Sequence, residues 1–226
     1  MKQFLVFSFL GLFVAAGARA ARDERAEAVS HVESCEAILQ EFMSDPATTI
    51  PAPVWQQARA IMIVNQFKAG FLFGIKDGYA VIMVKQADGH WSVPVLLAAS
   101  EASIGLQLGA KSVETIYVIT DDHTPRLLFN QRFSAGVDAK AVAGPSGAGV
   151  EKDNGVIAKA PLLVYTKATG LFAGATLKAG YVVRNDVANF ALYNTTETLP
   201  ELLYSNWFAA PSEVLPLMHY LQRLAP

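Results

Sequence analysis

The spacing of apolar and polar residues changes several times along the chain, and each change predicts an element. From Ala21 to Met43, Val29, Val32, Leu39 and Phe42 recur at helical spacing, and Asp23, Glu24, Arg25, Glu33 and Glu41 take the other positions. This predicts an amphipathic helix, ended by Ser44-Asp45-Pro46, with Cys35 as a buried thiol on its apolar face. Ile50-Pro51-Ala52-Pro53 then breaks the chain, and Pro53 suits the first turn of a short helix through Trp55, Ala58 and Arg59. Ile61 to Val64 reads as strand.

Between Ala69 and Lys85 the period is two. Phe71 and Phe73 alternate, Asp77-Gly78 offers a two-residue turn tolerant of positive φ, and Tyr79, Val81 and Met83 alternate again. The pattern predicts a β-hairpin turning at Asp77-Gly78. Asp88-Gly89 marks a second turn before Trp91. Further strand signals follow at Pro94–Ala98, Ser103–Gly109, Glu114–Ile119, Phe133–Val142, Val156–Thr166 and Leu171–Val183, the last two around a Lys167–Gly170 turn. Pro125 starts a short helix with Leu127, Leu128 and Phe129, and Asp186 caps another through Phe190 and Tyr193. Glycine-rich Gly144–Gly155 predicts a mobile loop. From Thr195 to Pro226 leucines and aromatics are dense, predicting a helical tail packed on the domain, with a partner-binding arm as the alternative. The fold class is therefore α+β: a single β-rich domain of antiparallel strands and hairpins with flanking N-terminal and C-terminal helices.

The first twenty residues stand apart. Lys2 precedes an apolar run from Phe4 to Ala16, and Ala18-Arg19-Ala20 is a small-x-small cleavage pattern. This predicts a signal peptide over 1–20, followed by the N-terminal helix (21–48), the β-rich domain (49–194) and the tail (195–226). Export to the periplasm or cell envelope of a bacterium, or secretion otherwise, is the corresponding localisation. Setting Lys2 and Arg19 aside from the 18 basic residues leaves 16 against 20 acidic, a net charge of −4. That balance argues against a nucleic-acid partner, since phosphate binding needs a basic surface. The single cysteine rules out an internal disulfide and a thiolate metal cluster.

Catalytic motifs fail at identifiable atoms. Gly144-Pro145-Ser146-Gly147-Ala148-Gly149 is followed by Val150, where a phosphate-cradling loop requires lysine. As a nucleophile elbow around Ser146 it has Gly144 but Ala148 in the second glycine position. His31, His90, His123 and His219 form no i, i+4 pair, and His123 beside Asp121 and Asp122 fits a solvated turn. The reading is not an enzyme, with no cofactor and no metal. A hydrolase using the Gly144–Gly155 loop with His123 or Asp138 is the weaker alternative.

Several blocks in order carry a family likeness: Ala69-Gly70-Phe71-Leu72-Phe73-Gly74; Trp91-Ser92-Val93-Pro94; Ser103-Ile104-Gly105 with Gln107-Leu108-Gly109; Gly136-Val137-Asp138-Ala139 with Ala143-Gly144-Pro145; and Tyr165 with Gly170-Leu171-Phe172-Ala173-Gly174. From about Pro51 to Asn194 the chain resembles the SYLF domain, a lipid-binding family with actin binding in fungal members. The resemblance implies a compact β-rich domain that binds phospholipid. Glu101-Ala102 replaces the glycine pair usual before Ser103, and only Arg59, Lys68 and Lys76 are basic between Pro51 and Lys76. These departures favour bulk phospholipid or another amphiphile over a phosphoinositide. Arg59, Lys68 and Lys76 are the expected headgroup contacts, with Trp55, Phe71 and Trp91 as aromatics at the membrane surface. The expected function is an exported, non-enzymatic phospholipid-binding protein making peripheral contact at a membrane face. Actin is an unlikely partner for an exported chain, and the alternative function is a protein-interaction or scaffolding module using the C-terminal tail.

Overall fold

Ala60 opens a strand whose first five residues avoid solvent, lying at the centre of the sheet with a strand paired on each side. The computed structural model describes residues 2–70, 73–104, 109–129, 132–134, 141–144, 160–169 and 181–226. Among them, eight strands form one mixed sheet: β1 (Ala60–Gly70), β2 (Phe73–Val84), β3 (Val95–Ile104), β4 (Gly109–Ile119), β5 (Phe133–Ser134), β6 (Ala141–Ala143), β7 (Leu162–Thr169) and β8 (Tyr181–Arg184), in the order β5-β8-β3-β2-β1-β4-β7-β6. The described edge strands are two and three residues long, which limits the unpaired backbone open to another chain.

All described pairings are antiparallel except β6 with β7, which run parallel. Antiparallel pairing throughout was the expectation from sequence. A parallel neighbour needs a connection of about a dozen residues or more, and the stretch from Gly144 to Pro161 supplies it. At its start the Gly144 N–H donates to Val164 O at 2.9 Å. A Cβ on Gly144 would lie 2.1 Å from Cζ of Tyr165, so two of the family-like blocks meet here and a side chain at 144 would require the Tyr165 ring to move.

The opening hairpin exists, but its turn is not at Asp77-Gly78. Gly70 pairs with Gly74, so the reversal falls between them, and Asp77 and Gly78 lie inside β2 opposite Phe67 and Gln66. Gly78 serves close packing instead: a Cβ there would sit 2.2 Å from Asn65 O. The second turn is where the sequence predicts it, with Gly89 at φ +86° and its N–H donating to Gln86 O.

Helix α1 (Lys2–Ser44) covers one face of the sheet, with Val32, Cys35, Leu39 and Phe42 buried as their periodicity predicts. Burial of its large aliphatic and aromatic side chains contributes about 2 kcal/mol each. Burial also pushes the Cys35 thiol far up, which opposes thiolate chemistry there. Helix α2 (Ala52–Gln57) carries Pro53 in its first turn. Helix α3 (Asp186–Tyr193) starts one residue earlier than expected: Asn185 is the cap, its Oδ1 accepting from Ala188 N, and Asp186 is the first helical residue. Lys167, Ala168 and Thr169 of the predicted turn lie within β7, and Gly170 lies outside the described residues.

The tail packs on the domain. It forms α4 (Leu199–Tyr204), a 3-10 turn (Ser212–Val214) and α5 (Leu215–Leu224), burying Leu199, Leu202, Leu203, Val214, Leu217 and Leu221. Thr198 and Glu201 form a capping box at the start of α4. Trp91 Nε1 donates to Ala225 O at 2.9 Å, and Gln86 Nε2 to Ser205 O at 3.0 Å, so the tail is fixed to the second hairpin by direct bonds.

Candidate functional site

Strand β1 is eleven residues long, so at about 3.3 Å per residue its ends lie roughly 35 Å apart. That length divides the expected site residues into two groups. Lys68 and Lys76 pair with each other near the opening turn, and residue 71, between them in sequence, lies outside the described residues. Arg59 precedes the opposite end of β1. Its N–H donates to Ile119 O at 2.7 Å and its carbonyl accepts from Lys85 N at 2.8 Å. Nine residues of extended chain, about 30 Å, separate Arg59 from Lys68. One headgroup does not reach both.

Trp55 and Trp91 also belong to the far end, and both are core residues. Each is 3% exposed, and the Trp55 Nε1 donates to Ile50 O at 3.1 Å. A membrane anchor needs its apolar ring at the surface, whereas these rings are enclosed and their only polar atoms are bonded inside the protein. The expectation that they present aromatic surface to a membrane is therefore corrected.

The register adds a residue that the sequence reading missed. Lys68 pairs with Lys76 on one side and with Lys111 of β4 on the other, and Lys76 in turn pairs with Glu101 of β3. In the backbone register the order Glu101-Lys76-Lys68-Lys111 runs across four strands near the opening turn. Nearer the middle of β1, Asn65 Nδ2 donates to the Tyr79 hydroxyl at 3.0 Å, and that hydroxyl donates to Ser34 Oγ of α1 at 2.6 Å, so Asn65 faces α1. Lys111 had no signal in a linear reading, because its partnership depends on β1 lying between β2 and β4.

The residues weighed for catalysis are differently placed. His123 is exposed in a turn organised by Asp121, whose Oδ1 accepts from His123 N at 2.7 Å and Thr124 N at 2.6 Å. Ser146 and Asp138, and the 145–155 part of the expected mobile loop, lie outside the described residues. Among the described residues no group of three or more His, Cys, Asp or Glu is placed to hold a metal ion.

What these elements define is an α+β domain with helices closing one face of a mixed sheet and three lysines in register near its opening turn. The chain belongs to the Ysc84 family, described as Las17-binding protein actin regulator, whose family model matches residues 100–224 and which corresponds to the SYLF resemblance. Among similar proteins are an SH3 domain-containing protein of Schizosaccharomyces pombe, 31% identical over 193 residues (81% of this chain, 44% of that protein), and the LAS seventeen-binding protein 3 of Saccharomyces cerevisiae, 28% identical over 179 residues (78% and 39%). The human SH3 domain-containing YSC84-like protein 1 is 25% identical over 170 residues (73% and 50%). The chain spans half or less of the length of these relatives. The family description overturns the expectation that actin is an unlikely partner, since it names an actin regulator.

Proposed function

We propose that this chain is a non-enzymatic binding domain that holds anionic phospholipid at the hairpin end of its sheet, through Lys68, Lys76 and Lys111. The observation that carries this reading is the strand register that brings Lys76, Lys68 and Lys111 side by side on three neighbouring strands. The SYLF resemblance supports a phospholipid ligand, and the signal-peptide pattern of residues 1–20 supports work at a membrane face of the cell envelope. Each lysine at an anionic surface contributes about 1 kcal/mol, so the row accounts for roughly 100-fold in affinity.

Flotation with neutral and anionic phospholipid vesicles tests it. Binding should require anionic lipid, weaken with salt, and fall about 100-fold or more when Lys68, Lys76 and Lys111 are all changed to Glu, while Arg59→Glu changes little. Salt-insensitive binding, or equal loss from Arg59→Glu, would remove the row from the site.

A second reading, contact with actin or an actin-regulating protein, is favoured by the family description and by the names of the yeast relatives. Co-sedimentation with filamentous actin decides it. Saturable pelleting with filaments alongside absent vesicle binding would replace the phospholipid reading.

A further inference from the structure

The strand register near the opening turn places an acid at one end of the lysine series. Across β3, β2, β1 and β4 the paired positions are Glu101, Lys76, Lys68 and Lys111. Two residues toward Ala60 on the same strands stand Ala99, Gly78, Gln66 and Val113, and two residues toward the turn stand Ser103, Gly74, Gly70 and Gly109. None of these flanking positions carries a charge. Asp77, beside Lys76 along β2, occupies the intervening row opposite Phe67 and Ser100, and adjacent positions of a strand alternate between the faces of a sheet. Three lysines and one terminal glutamate therefore set the charge of the row.

Strand spacing turns that order into distances. Neighbouring strands lie about 4.8 Å apart, so at the backbone Glu101 is about 5 Å from Lys76, about 10 Å from Lys68 and about 14 Å from Lys111. Exposed charges are screened over about 8 Å at physiological ionic strength. An anion centred between β1 and β4 is about 12 Å from β3, beyond that length, and feels Glu101 weakly. One that extends over β2 comes within about 5 Å of β3, where repulsion by the carboxylate offsets the attraction of Lys76. The width of the ligand thus decides whether the acid matters. A single phosphodiester, with one negative charge, fits over two neighbouring strands. A headgroup phosphorylated at several ring positions spreads over more of the row, and each phosphomonoester brings a charge of about −1.5 to −2 toward Glu101.

We propose that Lys68 and Lys111 seat the phosphodiester of a phospholipid headgroup, and that Glu101 is the selectivity residue that turns away multiply phosphorylated headgroups reaching over Lys76. This inference rests on the phospholipid reading and gives that site a direction, with its acidic end on β3 and its open cationic end on β1 and β4. Lys76 is the weakest of the three lysines in binding, because its register neighbour on the far side is the glutamate.

Flotation of the full chain with two kinds of vesicle at matched total charge tests it: phosphatidylglycerol in phosphatidylcholine, and a bisphosphorylated inositol lipid in phosphatidylcholine. The wild type should bind the phosphatidylglycerol vesicles more tightly. Glu101→Gln should strengthen binding to the bisphosphorylated vesicles about fivefold, the effect of one charge near a membrane surface, and to phosphatidylglycerol by less than about twofold. Because a gain is read, loss of folding cannot imitate the result. Asp77→Asn removes the same charge one row away and should shift neither affinity by as much as about twofold. Lys76→Gln should weaken phosphatidylglycerol binding less than Lys68→Gln or Lys111→Gln. Equal gains on both vesicles from Glu101→Gln, no gain on either, the same gain from Asp77→Asn, or Lys76→Gln as the costliest of the three overturns the proposal. Failure of the parent reading looks different. Vesicle binding that survives the change of all three lysines to Glu discards both, whereas binding lost in that variant but unmoved by Glu101→Gln discards the role of Glu101 alone.

Discussion

The two ends of the central sheet differ: one is apolar and buried, and the other brings three lysines into register. At one end, where Ala60 pairs with Val84 and Ile119, residues 60–64 of β1 are at most 4% exposed and both faces are covered. Trp55, Trp91 and Arg59 lie there, with the tail bonded against Trp91. At the other end the strands reach the opening turn, and Lys76, Lys68 and Lys111 come into register. Nearness in sequence, as of Trp55, Arg59 and Lys68, says little about nearness in space once an eleven-residue strand intervenes. On the proposed function, structural and binding roles divide by position along the strand.

The largest effect expected from this division is at the covered end. Trp91→Ala should destabilise the protein by about 4 kcal/mol, the usual cost of removing a buried indole, and lower the thermal midpoint by about 10 °C. The loss includes the bond from Nε1 to Ala225 O, so hydrogen exchange in α5 should accelerate in the same variant. A Trp91→Ala protein that melts like the wild type but no longer binds vesicles would reverse the assignment and return the ring to the surface.

A smaller effect separates two glycines that look alike in sequence. Gly78 and Gly89 each follow an aspartate, but only Gly89 has positive φ. A Cβ at Gly78 meets Asn65 O at 2.2 Å and Gln66 Cα at 2.9 Å, both backbone atoms that move only with the strand. Gly78→Ala should cost about 2–3 kcal/mol. Gly89→Ala meets nothing within 4 Å and should cost about 1 kcal/mol, from its left-handed conformation alone. Denaturant midpoints of the two variants check the order, and equal or reversed costs would restore the turn at Asp77-Gly78.

These cases show what the linear pattern carries and what it does not. The buried face of α1 was legible because Val32, Leu39 and Phe42 repeat at the helical period whatever they pack against. The packed tail was legible for the same reason, from the density of leucines between Leu199 and Leu221. The misplaced turn has a physical cause: Asp-Gly tolerates a turn, but the glycine in β2 answers a close backbone approach that only strand pairing creates. Lys111 was invisible because its role depends on strand order. The exposed residues of α3 and Trp207 were read as helix and tail, since periodicity reveals an apolar face but not whether another element covers it.

The smallest effect expected lies on the α1 face, where β1 and β2 meet the helix. His31 stacks on Tyr79 with ring centroids 3.8 Å apart and an interplanar angle of 14°, and Glu27 Oε1 is 3.8 Å from its Nε2. Around it the Tyr79 hydroxyl bridges Ser34 of α1 and Asn65 of β1. Burial lowers the His31 pKa, and the Glu27 carboxylate opposes that shift only in part. A histidine whose folded pKa is lowered stabilises the fold above its unfolded value of about 6.5 and loses that contribution as pH falls through the folded value. Moving from pH 7.5 to 5.5 should therefore lower the thermal midpoint of the wild type more than that of His31→Phe, which keeps an aromatic ring against Tyr79 without the titrating nitrogen. The difference between the two proteins should be smaller than either glycine effect, because the side chain keeps partial contact with water and Glu27 favours the charged form. An equal fall in both proteins would place the pH sensitivity elsewhere and leave the stack as packing alone.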